Sequence, residues 1–155
     1  GDALVLIHRS RARAQHAYAG LRKTRTPKEI SPPMSVRATP SVRNFLRNHQ
    51  SRIAAVGIKY ETFGEGSIVV TALPQLIPEG AFRAWLTERS SEDKRNKAET
   101  DESFLWSLAL SAAADPDYVL SDGEMFECLR NTQSEPWMPK AKLVYTPHDI
   151  KALFK

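Results

Sequence analysis

The stretch Ala3 to Leu21, ALVLIHRSRARAQHAYAGL, decides how the rest of the chain must be arranged. Leu4, Val5, Leu6 and Ile7 show no alternation of apolar with polar residues, which predicts a strand covered on both faces. No turn residue separates this run from the basic, alanine-rich segment behind it, so strand is expected to pass directly into helix. His8, Ser10, Arg13, His16 and Ala17 then fall where a strand's end hands over to the first helical turns. Such a junction can present catalytic groups side by side, and its residue types decide whether chemistry is available.

A chain of 155 residues can bury one sizeable core or two small ones, hiding about two thirds of its unfolded surface. No apolar run approaches the ~20 residues of a membrane helix, and no charged-then-apolar leader opens the chain, so a soluble protein without a membrane partner is expected. The lone Cys128 excludes an internal disulfide framework and cannot by itself build a thiolate zinc site. Its neighbours Met125, Phe126 and Leu129 predict a buried structural thiol. The net charge of +4 is unevenly spread, because Arg9, Arg11, Arg13, Arg22, Lys23, Arg25 and Lys28 occur with no acid between Ala3 and Lys28. That tract is either a solvated helix face or a set of phosphate contacts giving salt-sensitive DNA affinity.

Outward from this stretch, the helix is expected to end near Lys23, and Thr24 to Pro33, with three prolines, reads as an extended linker. Met34, Val36 and Ala38 alternate with Ser35 and Arg37 as a half-buried strand should. Thr39-Pro40 reads as an N-cap with proline at the first helical position, where its missing N–H costs nothing. Val42, Phe45, Leu46, His49, Ile53 and Val56 recur at helical spacing, with Gly57 placed to end the helix and His49 packed on its apolar stripe. Ile58 to Phe63 and Ser67 to Leu73 form a hairpin about Gly64-Glu65-Gly66, the second strand apolar enough to be central. Those glycines join two strands, not a strand and a helix, which excludes a phosphate loop.

Pro74 and Pro78 bracket a loop, and Phe82, Trp85 and Leu86 mark an amphipathic helix. Ser90 to Glu102 is almost wholly polar, a mobile loop or an exposed helix start. Phe104, Leu105, Leu108 and Ala112 give another apolar face that ends before Asp115-Pro116. Ser121 with Glu124 resembles a capping box ahead of Met125, Cys128 and Leu129. Lys142 to Tyr145 reads as a strand, and Thr146-Pro147 caps a last helix through Ile150, Leu153 and Phe154. The order predicts an α+β fold of two subdomains. Both chain ends (1–32 and 96–155) must meet to cover the opening strand, with a small αβ subdomain (33–95) inserted between them.

This order and several local strings resemble the C-terminal dimerisation domain of the MutL mismatch-repair proteins. LVLIHRSRARAQHAYAGL is similar to the family's strand-helix segment, of the form L-x-L-I-D-Q-H-A-A-x-E-R-x-x-Y-E. VGIKYETFGEGSIVVTALPQLI is similar to its inserted regulatory subdomain. LSDGEMFECL resembles L-S-x-x-E-M-x-x-L-L, and TPHDIKALF resembles the terminal helix. The resemblance implies a homodimer, or a heterodimer with a paralogue, that joins two upstream ATP-hydrolysing arms into a clamp around DNA and works with other mismatch-repair proteins in response to DNA damage. The ATP-hydrolysing domain has no counterpart in these residues, as expected of a fragment. It also implies an interface drawn from the apolar surplus of the chain ends: Leu4, Leu6, Phe104, Leu105, Leu108, Leu143, Tyr145, Leu153 and Phe154. The compartment would be the cytoplasm of a bacterium or the nucleus of a eukaryote.

Many members of that family are metal-dependent endonucleases, and their ligand pattern can be laid on this chain. The aspartate position falls on His8, the histidine on Ser10 and the two glutamates on Ala14 and Ala19, while Arg9, Arg11 and Arg13 would repel a cation. The second metal string falls near Ala109-Leu110, and the third around Glu135, Pro136, Trp137 and Met138, without cysteine or histidine. An endonuclease-deficient module with no metal or other cofactor and no catalytic residue is therefore expected. His8, His16 and His148 have no acid partner at triad or metal spacing, and a polar turn plus a helix cap explains Asp115, Asp117, Asp122 and Glu124. The peptide with which some bacterial members dock on the sliding clamp matches KEISPP, Lys28 to Pro33, only at Ile30 and Pro33, so clamp binding is not expected. The alternative function is a basic DNA-contacting module using Arg9, Arg11, Arg13, Arg22, Lys23, Arg25 and Lys28, with no role in dimerisation.

Overall fold

The apolar opening run forms a strand, and its partner comes from the far end of the chain. The computed structural model describes residues 4–23, 26–92, 99–131 and 142–153. In chain order the elements are β1 (Leu4–Ile7), α1 (Arg9–Lys23), β2 (Pro27–Arg37), α2 (Pro40–Asn48), α3 (Gln50–Ala55), β3 (Lys59–Phe63), β4 (Ser67–Pro74), α4 (Glu79–Glu92), α5 (Asp101–Ala114), α6 (Asp122–Asn131), β5 (Lys142–Tyr145) and α7 (Pro147–Leu153). β1 pairs antiparallel with β5, from Leu4 opposite Tyr145 to Ile7 opposite Lys142. The α+β class read from the sequence therefore holds, and so does the meeting of the two ends.

Two compact units make up the chain, residues 1–16 with 120–155 and residues 17–119. Against the expected limits of 32/33 and 95/96, β2 begins at Pro27 and α5 packs on α4 within the second unit. In the first unit, Ala12 and Met125 are buried together and Leu120 packs against them.

The second unit carries a sheet in the order β2-β4-β3. β4 is central, as its apolar sequence predicts, and Ile68, Val70 and Ala72 on one of its faces are buried. The segment read as a linker is instead an edge strand: Lys28 lies opposite Leu73, Glu29 opposite Ala72 and Met34 opposite Val70. Proline is tolerated there because an edge strand needs N–H groups on one side only, and the register slips between Glu29 and Met34 around Pro32 and Pro33. The hairpin turn is as expected, with Gly64 at φ 65°, a left-handed conformation that a Cβ would strain.

The helix expected from Val42 to Val56 divides at His49 into α2 and α3. Thr39 Oγ1 accepts the Val42 N–H at 3.2 Å, the N-cap read from Thr39-Pro40. At the break the helical bonding almost continues, His49 N–H reaching Phe45 O and Ile53 N–H reaching His49 O. Gly57, at φ 89°, ends the second segment. The core beneath is aromatic. Trp85 meets Phe45 edge-on at 5.5 Å and Phe104 at 5.3 Å, and its indole N–H donates to Ser107 Oγ at 2.9 Å. Edge-to-face contacts of this kind add to the burial of large apolar surfaces.

Candidate functional site

The strand-to-helix junction is the place to look for chemistry, and its geometry is that of a helix start. His8 follows β1 and is exposed, its Nδ1 3.0 Å from Ser10 Oγ and 3.4 Å from the Arg11 N–H. A main-chain N–H can only donate, so Nδ1 is the acceptor and His8 acts as an N-cap for α1, a role more often filled by Asp, Asn or Ser. Ser10 donates its hydroxyl to the same nitrogen. Arg9 pairs with Asp122 at 3.2 Å, with both side chains largely in water. Ala14 is completely buried and Ala19 half-buried. Neither offers a ligand atom.

On the following turns, His16 is held below the ordinary imidazole value chiefly by partial burial, with the Glu124 carboxylate pulling the other way. Glu124 in turn accepts from Ser121 N–H (2.9 Å) and Ser121 Oγ (2.8 Å), while its own N–H reaches Ser121 Oγ at 3.2 Å. This reciprocal pair is the capping box read from the sequence, and the Ser121 bonds hold the Glu124 carboxyl below the usual range. A second one closes α7, where Asp149 accepts from Thr146 N–H and Oγ1 and is lowered for the same reason. Asp115 accepts the Asp117 N–H at 2.9 Å in a tight turn. Asp115, Asp122 and Glu124 thus serve a turn, a surface ion pair and a helix cap, and among the described residues no three His, Cys, Asp or Glu side chains are placed to hold a metal ion.

The remaining predicted positions are scattered. Ala109 is fully buried in α5, Leu110 is 46% exposed, and His148 is exposed. Glu135, Pro136, Trp137, Met138, Arg25 and Phe154 lie outside the described residues, as do the side chains of Leu4, Leu6, Cys128, Leu143, Tyr145 and Leu153. Three residues expected at a dimer interface, Phe104, Leu105 and Leu108, are buried within the protomer, Phe104 against Trp85. Their apolar surface is covered within the protomer. Of the basic tract, Arg9, Arg11, Lys23 and Lys28 are exposed, Arg13 is half-buried, and Arg22 stands over the Tyr18 ring at 5.7 Å. Helical spacing sets Arg11 on the side of α1 opposite Arg9 and Arg13.

One polar cluster escaped sequence reading. Glu99, in the stretch read as a loop, has a side chain only 8% exposed and pairs with the similarly buried Arg89. Its second oxygen lies 3.7 Å from His49 Nδ1. Arg52 donates to the Glu99 carbonyl at 2.6 Å and to Asp101 at 2.7 Å. His49 is stacked at a tilt between Phe45 (4.6 Å) and Phe104 (5.7 Å). The only sequence signal nearby is Thr100 ahead of α5, whose hydroxyl accepts the Ser103 N–H in a capping box.

The fold therefore has chain ends paired in a sheet, a capped helix where metal ligands could have stood, and an inserted three-stranded sheet. Residues 1–117 match the family model of the MutL C terminal dimerisation domain. The chain belongs to that family. No curated protein matches it significantly. As a MutL C-terminal domain it is assigned to DNA mismatch repair and to dimerisation, the role by which the family is described. Among the described residues of this MutL domain, no helix is long and apolar enough to cross a membrane.

Proposed function

We propose that this domain is the non-catalytic dimerisation module of a MutL-like protein, closing two upstream ATPase arms into a clamp around DNA. The observation that carries the reading is the β1–β5 sheet. It joins the two chain ends, and β1 is apolar at all four positions, yet it has only two strands among the described residues. A two-stranded sheet is marginal alone in water, so such a strand needs cover on its faces. The interface proposed is Leu4 and Leu6 on β1, Leu143 and Tyr145 on β5, and Leu153 on α7 with Phe154 next to it in sequence. Light scattering on the Leu6→Glu variant tests it: a monomer mass with folded circular dichroism is expected, and an unchanged dimer would remove β1 from the interface.

Function in this reading is geometric. The support is that His8 serves as a cap and Ala14 is sealed, so two of the family's ligand positions are used for folding. A nicking assay with manganese should give no cleavage above background. A second reading, DNA contact along Arg9 to Lys28, is supported by the lack of any acid in that tract and by the exposure of Arg11, Lys23 and Lys28. It requires affinity that falls steeply between ~50 and ~200 mM salt, and salt-independent binding would reject it.

A further inference from the structure

The three-stranded sheet has two edges, and the chain treats them oppositely. β2 is obstructed: Pro27, Pro32 and Pro33 have no N–H to offer, the register slips between Glu29 and Met34, and Arg83 Nη1 already donates to the Ser35 carbonyl at 3.1 Å. These are recognised ways of closing an edge to a further strand. β3 shares only a register shift, between Lys59 and Tyr60. Lys59–Phe63 contains no proline, every residue except the half-buried Tyr60 is exposed, and Phe63 is 72% exposed.

The open edge has a definite hydrogen-bonding pattern. Ser67 Oγ donates to Phe63 O at 3.0 Å, so that carbonyl lies on the β4 side, and the register runs unbroken from Phe63 to Tyr60. By the alternation of an antiparallel ladder, Tyr60 and Thr62 then direct their N–H and C=O groups away from β4. The Ile58 N–H is used within the protomer, bonded to Ile53 O at 3.2 Å, which ends the row of free donors. Alongside lies a groove of about 600 Å³ whose lining includes Ala54, Ile58, Tyr60 and Thr62. It gives room for side chains of an added strand.

We propose that β3 pairs antiparallel with β3 of a second copy of this chain, about a two-fold axis at Tyr60. The strand is self-complementary in that register. Lys59 stands opposite the partner's Glu61 and Glu61 opposite the partner's Lys59, while Thr62 lies opposite the partner's Ile58. The donor that Ile58 lacks is not needed there, because Thr62 donates to the partner's Ile58 carbonyl. A shift of the axis to Glu61 would set two carboxylates face to face and turn the free main-chain groups out of line, so the register is specified by charge as well as by hydrogen bonding. This contact is isologous and separate from the chain-end interface. A protomer with two different two-fold contacts links dimers into larger assemblies.

Light scattering and sedimentation over a concentration series of the 155-residue chain test this. Species larger than a dimer are expected at high concentration, their onset moved about tenfold higher by Glu61→Lys, which opposes lysine to lysine, and restored by the double swap Lys59→Glu with Glu61→Lys. In the Leu6→Glu background, any residual self-association should respond to the same pair of variants. No association beyond that lost in Leu6→Glu would overturn the proposal, as would association indifferent to Glu61→Lys or not restored by the double swap. Loss of the dimer itself in Glu61→Lys, with rescue by the swap, would support edge pairing and move the principal interface away from the chain ends.

Discussion

The two units of this chain solve the problem of burial differently. Residues 17–119 enclose an aromatic core of Phe45, Phe82, Trp85 and Phe104 under a three-stranded sheet, and a buried Arg89–Glu99 pair ties the start of α5 to α4. Residues 1–16 and 120–155 contribute a two-stranded sheet and, among the described side chains, the small cluster of Ala12, Met125 and Leu120. Their helices begin on side-chain caps at His8, Ser121 and Thr146, all in water. A unit with its own core can stand alone. One held by exposed caps and an apolar two-stranded sheet depends on being covered, and the proposed dimer interface is drawn from it.

Four measurements would break or sharpen that contrast. Trp85→Ala removes the side chain shared by Phe45, Phe82 and Phe104 and should cost about 3–5 kcal/mol in urea unfolding. A loss under about 1 kcal/mol would mean that this core does not support its unit. Glu99→Ala leaves Arg89 buried without its main partner and should cost about 3 kcal/mol, whereas replacing both, Arg89→Met with Glu99→Leu, should recover most of it. If the single and double variants are equally unstable, the pair is not the element that holds α5 to α4.

Thr39→Ala removes the α2 cap and should cost about 1 kcal/mol. His8→Ala acts on a longer, exposed bond and should cost less, a difference readable by amide exchange in the first turns of α2 and α1. The smallest effects separate the units by pH. His16, Glu124 and Asp149 all lie below their ordinary values, so the unfolded chain takes up protons first as pH falls. For His16, stability is full above about 6.5 and declines below it; for the carboxylates it is full above their ordinary range near 4 and lost as pH drops through the lowered values. Tyr60, in the other unit, is raised by burial, so its contribution is full below about 10 and lost on further alkalinisation. Amide exchange around α6 should therefore quicken in acid, and around β3 in alkali. Equal response of both regions to acid would contradict the assignment.

Much of this was legible in local sequence. Thr39-Pro40, Ser121 with Glu124, and the Gly64-Glu65-Gly66 turn each act within a few residues, so neighbouring residue types suffice to read them. The family strings were legible for the same reason. Thr24 to Pro33 was misread because prolines argue against a strand unless it lies at an edge, and edge position is a property of the sheet. Glu99 was read as loop because its polar neighbours are ordinary for solvent. Only the approach of Arg89 and Arg52 from other helices allows its carboxylate to be buried.

By itself the sequence determined the class of the fold, its caps and turns, the need to cover an all-apolar opening strand, and the family to which these residues point. Each depends on residue type and short spacing. Tertiary structure decided which apolar residues are already covered, taking Phe104, Leu105 and Leu108 into the protomer, and which sheet edge is closed and which is open. Those outcomes depend on distant segments meeting, β1 with β5 and β2 with β4, and no local pattern encodes whether a surface so formed is left free.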